Sequence, residues 1–147
     1  MDKPKTHRYP HEIFAKVCEL DDRDERIAYL KEHAYKQVKT ILQLCYNDKI
    51  ELDLPKGKPP FRPCPNAREP STIANALKLI SYCVKENKST TRLKKEKIFV
   101  GILEQIHVED AGLLCAAKDG TIINYQNKKY RKITKSLVEA AFPELLK

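Results

Sequence analysis

Two histidines four residues apart, His7 and His11, with Cys18 seven residues further on, are the first side chains in the chain whose types suit zinc. A zinc centre takes four nitrogen or sulfur ligands at recognisable intervals. Pro10 interrupts helical spacing between the two histidines and no fourth ligand stands at such an interval, so the segment reads as an exposed polar arm without a metal. Cys64 lies apart from the other thiols in a proline-rich stretch, with no histidine or predicted helix start beside it to stabilise a thiolate. His107 ends a predicted helix and is expected to contact its last carbonyls. Lys118-Asp119-Gly120 reads as a helix stop followed by a turn. The chain has no G-x-x-x-x-G-K-[ST], G-x-G-x-x-G or G-x-S-x-G pattern. The expectation is a protein that is not an enzyme and holds no cofactor or metal.

Positive charge is the chemistry that remains. The formal charge of +8 is unevenly placed: residues 1–48 carry nine Lys or Arg against nine Asp or Glu, and residues 49–147 carry 19 against 11. One cluster comprises Lys85, Lys88, Arg92, Lys94, Lys95 and Lys97, partly offset by Glu86 and Glu96. A second, Lys128, Lys129, Arg131, Lys132 and Lys135, has no acid within it and is flanked by Tyr125 and Tyr130. Adjacent uncompensated cations repel one another, and a phosphate backbone relieves that repulsion by releasing counterions. Ser89, Thr90, Thr91 and Thr134 add hydroxyls near predicted helix starts, where amides also favour phosphate. The expected nucleic-acid contacts are Arg92, Lys94, Lys95, Lys97, Lys128, Lys129, Arg131, Lys132 and Lys135, with Tyr125 or Tyr130 stacking or wedging. The two clusters form one track only if the fold sets them on one face.

Helices must carry these residues. Ile13, Phe14, Val17 and Cys18 form an apolar stripe behind Pro10; a second helix begins at Asp21 or Asp22; and Tyr35, Val38, Ile41, Leu42 and Cys45 mark a third. Six of the nine prolines fall between Pro55 and Pro70, which excludes a helix or central strand there. This stretch is expected to be a stiff spacer, Pro60 and Pro63 included. Ser71 or Thr72 then caps a fourth helix with Ile73, Ala76, Leu77, Ile80 and Val84 in one stripe. Thr91 opens a fifth, with Leu93, Phe99, Ile102, Leu103 and Ile106 inward. A sixth starts at Val108 and stops at Asp119-Gly120. Alternation in 121–125 and 129–133 across a Gln126-Asn127-Lys128 turn predicts a small β-hairpin, and Thr134 caps a last helix that Pro143 closes. The fold class is mainly α, a single bundle of about six or seven helices. The expected division is an N-terminal arm, 1–22, and a helical domain, 23–147.

At 147 residues such a bundle buries enough surface to stand alone. No apolar run approaches the ~20 residues of a membrane-spanning helix, and the first residues lack the apolar core of a secretory signal. Five cysteines without a C-x-x-C pair suit reduced thiols inside the cell, and four of them (Cys18, Cys45, Cys83, Cys115) fall on or beside apolar helix faces.

The blocks Leu54-Pro-Lys-Gly-Lys-Pro-Pro-Phe-Arg-Pro-Cys-Pro65 and Ile133-Thr-Lys-Ser-Leu-Val-Glu-Ala-Ala-Phe-Pro-Glu-Leu-Leu146 resemble a family of small, largely uncharacterised proteins of T4-related tailed phages, cyanophages included. The resemblance spans roughly residues 23–147. The C-terminal block is similar in turn to the end of the helical N-terminal DNA-binding domain of phage ATP-dependent DNA ligases, where tryptophan commonly replaces Phe142. That resemblance implies a helical domain lying against the duplex backbone and minor groove. No nucleotidyltransferase domain is expected after Leu146, and Lys118-Asp119-Gly120 lacks the residue that separates Lys from Asp-Gly in the ligase motif, so no ligase activity is implied. The expected function is a non-catalytic phage accessory protein that binds the DNA backbone with little sequence preference in replication or repair, in the cytoplasm of the infected host. The alternative is an adaptor docking on a host or phage enzyme. No membrane partner is expected.

Overall fold

The computed structural model describes residues 9–47, 49–57, 59, 61–62 and 78–146. Among these, helices dominate and the only pairing between extended segments is a single antiparallel bridge, Leu52 to Val84. Six α-helices carry the fold: α1 (Pro10–Glu19), α2 (Arg23–His33), α3 (Lys36–Tyr46), α4 (Arg92–Gln105), α5 (Val108–Lys118) and α6 (Lys135–Ala141). A 3₁₀ helix, Lys78–Cys83, precedes α4, and a shorter one, Ile122–Asn124, follows α5.

Helix α5 occupies the centre because its sequence allows nothing else. From Ala111 to Ala117 it has no charged side chain, and all seven residues are buried. A helix apolar on every side must be surrounded. Helix α1 supplies Ile13, Phe14 and Val17 to that surround, α3 supplies Val38, Ile41 and Leu42, and α4 supplies Phe99, Ile102 and Leu103. Each Leu or Phe so buried contributes about 1.5–3 kcal/mol. Helix α1 therefore packs as part of the core and not as an arm. Helices α2 and α6 close the bundle with Leu30, Leu137, Val138 and Ala141.

Local chemistry sets the ends. Pro10 occupies the first turn of α1, where its missing N–H is not needed, and Tyr9 N–H donates to Glu12 Oε1 at 2.9 Å. Thr91 Oγ1 accepts Lys94 N–H at 3.2 Å, and Thr134 Oγ1 accepts Leu137 N–H at 3.2 Å. Gly120, at φ +71°, stops α5 with its N–H on Ala117 O, while Thr121 N–H reaches Ala116 O.

Three expectations fail, each for a physical reason. The register of α4 turns Leu93 outward, leaving it 65% exposed, and puts Lys95 on the buried stripe with Phe99, Ile102, Leu103 and Ile106. In the predicted fourth helix, 71–77 lies outside the described residues; 78–83 is a 3₁₀ helix, and Val84 pairs with Leu52. The hairpin over 121–133 is absent: 122–124 is 3₁₀, and Gln126, Asn127 and Lys128 turn left-handed with φ of 46°, 59° and 64°. Asn tolerates that conformation better than most residues.

Candidate nucleic-acid interface

The second basic cluster forms a short ribbon between the left-handed turn and α6. Tyr125 and Tyr130 hold it from beneath, their rings stacked at 5.9 Å and 7°. Tyr130 is completely buried and meets Phe14 of α1 edge-on at 6.1 Å. Tyr125 rests on Gly112 of α5, where the lack of a side chain leaves room for the phenol. Tyr46 Oη donates to Ile133 O, and Arg23 Nη2 donates to Ser136 Oγ at 3.0 Å, so α3 and α2 hold the ribbon's far end. Backbone groups of Lys132 and Ile133 reach the Cys18 sulfur; burial pushes that thiol up, against the lowering by those groups and by the charges of Arg131 and Arg26.

The cations stand on this rigid floor. Lys128, Lys129, Arg131 and Lys135 are exposed and Lys132 is half-buried; none forms an ion pair among the described residues. Lys129 Nζ lies 5.6 Å from the Tyr130 ring centroid. Five positive side chains within eight residues thus lack internal compensation.

The first cluster is different. Lys95 is 2% exposed and its Nζ donates to Asp53 Oδ2 at 3.2 Å; Arg92 Nε lies 3.8 Å from the other oxygen. Lys85 pairs with Glu51 at 3.0 Å. Lys95 therefore staples the 51–53 segment to α4, which corrects its expected role as a phosphate contact. Tyr130 is corrected likewise, since a fully buried ring offers no face to a base. Burial, with the nearby Glu109 carboxylate, pushes its phenol well above the ordinary range. Lys94 and Lys97 remain exposed. The clusters also rest on different elements, the first on α4 and its Asp53 anchor, the second over the N-terminal half of α5.

A polar cluster that sequence reasoning did not assemble clamps α1 to α5. His11 donates from its backbone N–H and from Nδ1 to one oxygen of Asp110, at 3.0 and 2.8 Å, and Asp110 is 1% exposed. Its Oδ2, Glu109 Oε2 and the Tyr130 hydroxyl are buried without a hydrogen-bond partner among the described residues. His107 does not bind the end of α4; its Nδ1 accepts Glu109 N–H at 3.0 Å and caps α5. Its ring lies 4.6 Å from that of His11 and 4.8 Å from that of Tyr9. The Glu109-Asp110 pair is legible as an acidic first turn, but nothing in the sequence joins Asp110 to a residue 99 positions earlier. Among the described residues no three His, Cys, Asp or Glu side chains converge as metal ligands. His7, Cys64, Pro60 and Pro63 lie outside the described residues.

A family profile, described as a family of unknown function (DUF6433), matches residues 13–124. The chain belongs to that family. The match begins at Ile13 of α1, takes in Asp110 and the central helix but not His11, and stops just before the ribbon. Comparisons with curated proteins and with solved structures give no match. No helix among the described residues is long and apolar enough to cross a membrane.

Proposed function

We propose that this protein binds the sugar–phosphate backbone of DNA with little sequence preference, as a non-catalytic accessory factor of phage replication or repair in the infected cell. The observation that carries the reading is the ribbon: Lys128, Lys129, Arg131, Lys132 and Lys135, unpaired among the described residues, on a floor of two stacked tyrosines. Rigid placement matters because ordering long cationic side chains costs entropy that a preorganised backbone lowers. The resemblance of Ile133–Leu146 to the closing segment of phage ligase DNA-binding domains supports the same surface, since the ribbon runs directly into that block. Phosphate contacts carry no base information, so affinity is expected to follow ionic strength and not sequence.

The test is fluorescence anisotropy on a labelled duplex across a salt series. Four to five ribbon contacts predict a slope of log K against log salt of about −3.5 to −4.5. Charge reversal by Lys128→Glu with Lys132→Glu is expected to flatten it by about 2. No affinity at about 50 mM salt, or an unchanged slope in the double variant, overturns the proposal.

A further inference from the structure

A second surface, on α4 and away from the ribbon, has the form of a docking groove. Its outer wall is formed by residues 54–57 and Pro59. Leu54, Pro55, Pro59, Phe99 and Val100, with Glu96 and Lys56, line a partly open cavity of about 250 Å³. The wall is fixed in place. Lys118 Nζ donates to Pro55 O at 2.8 Å and to Asp119 Oδ1 at 2.6 Å, and Asp119 Oδ2 accepts Gly57 N–H at 2.9 Å. Gly57 sits at φ +91°, where a side chain would be strained. Farther along, Arg62 N–H donates to Glu104 at 2.9 Å.

Two features of this surface are unexplained by the fold. Leu93 is 65% exposed, and it shares the α4 face of Glu96, Lys97 and Val100 at helical spacing, so it extends the cavity's apolar lining outward. Lys56 and Lys97 form no ion pair among the described residues, and with Arg62 they outnumber the groove's acidic residue Glu96.

We propose that the groove docks an acidic segment of a partner protein, which seats one large apolar side chain in the cavity and sets carboxylates against Lys56 and Lys97. The cavity's size suits a single leucine or phenylalanine, and well-packed pockets that take one such anchor dominate the energetics of many interfaces. A nucleobase fits less well. Its edges carry several donors and acceptors, while two of the cavity's polar groups, Lys118 Nζ and Gly57 N–H, are already engaged with Pro55 and Asp119, which leaves only the Lys56 and Glu96 side chains to meet them. A base would be buried with most of its own groups unsatisfied. The surface does not depend on the DNA-binding reading, because it shares no residue with the ribbon.

The experiment is a titration of the ¹⁵N-labelled full chain, followed by amide shifts, with three probes: an acidic nonapeptide of Glu and Asp with a central Phe, the same peptide with Ala at the centre, and an oligothymidylate. The Phe peptide is expected to move the Gly57, Phe99, Val100 and Lys118 amides and to bind at least about tenfold more tightly than the Ala peptide. Lys97→Glu should weaken it several-fold, and Val100→Trp, which fills the cavity, should abolish it. The pair Lys128→Glu, Lys132→Glu should leave it unchanged. Should Val100→Trp fail to fold, the Phe-to-Ala comparison and Lys97→Glu still decide. The proposal is overturned if those amides stay still at about 5 mM Phe peptide, if the Phe and Ala peptides bind alike, or if the oligothymidylate moves the same four amides.

Discussion

Gly112→Ala isolates the link between the core and the ribbon. A methyl at position 112 would meet the Tyr125 ring with Cζ at 3.0 Å and Cε1 at 3.5 Å, and the hydroxyl oxygen would lie closer still, inside contact distance. The ring cannot simply tilt away, because Tyr130 is stacked against it and Tyr130 is fully buried against Phe14. Overpacking of this kind costs about 1–3 kcal/mol. Replacing glycine by alanine inside a helix returns about 0.8–1 kcal/mol through backbone entropy. The net expectation is a loss of about 0–2 kcal/mol in urea unfolding, together with a several-fold loss of duplex affinity as the displaced tyrosine disturbs the left-handed turn. Gly112→Ala with Tyr125→Leu, which removes the obstructing phenol, is expected to recover the packing loss but not the affinity. A Gly112→Ala protein that is more stable than wild type and binds DNA equally well would refute the claim that Tyr125 on Gly112 sets the ribbon.

Three other expectations follow from named contacts. Lys95→Met should cost about 1–3 kcal/mol in chemical unfolding, less than the ~3–5 kcal/mol of a fully buried broken pair because Asp53 is 29% exposed and keeps Arg92 at 3.8 Å; duplex affinity should not change. His11→Ala removes the ring from a buried carboxylate and should cost about 2–3 kcal/mol by the same measurement, with Asp110→Asn/His11→Ala costing less than the sum of the singles. Burial raises the Cys83 thiol from 9.0 to about 11. Folding therefore favours its protonated form, and that stabilisation is complete below pH 9 and is lost as pH rises toward 11, by up to about 2–3 kcal/mol at this one site. Cys83→Ala should flatten the alkaline limb of stability against pH, and thiol titration of the folded protein should leave Cys83 unmodified at pH 8.

The helices with a clean stripe or a strong cap were legible in the sequence: α1 behind Pro10, α4 after Thr91, α5 up to Gly120, and α6 after Thr134. Periodicity and capping are local, and local signals survive in a single chain. Register was less legible. Leu93 and Lys95 lie two residues apart in α4, and hydrophobicity favoured burying the leucine; Asp53, 42 positions away, reversed that choice by giving the ammonium a partner. The same limit explains Tyr130. An aromatic among lysines reads as a stacking residue, and only the tertiary placement of Phe14 and Tyr125 makes it a core residue. In the ribbon, composition gave the charge and Gln126-Asn127-Lys128 was legible as a turn; what was not legible is its surroundings, since the alternation on either side suggested strands where the chain forms a 3₁₀ helix and irregular turns.

The ribbon and the groove are anchored to the same helix, which fixes how they act together. Tyr125 rests on Gly112 and the groove wall on Lys118, six positions along α5. Six residues advance about 9 Å along a helix and turn about 240° around it, so the two surfaces diverge by about 120°. Their charges are then about one Debye length apart or more at physiological salt, where mutual screening is substantial. Occupancy of one surface by an anion should therefore affect the other little. At fixed ionic strength, saturating Phe peptide is expected to leave the duplex dissociation constant within about twofold, and a ternary complex should form in sedimentation. Mutual exclusion would place both ligands on one surface and reassign the first cluster to DNA; positive coupling beyond about tenfold would require a conformational link through α5, whose seven consecutive buried residues leave it little freedom to move.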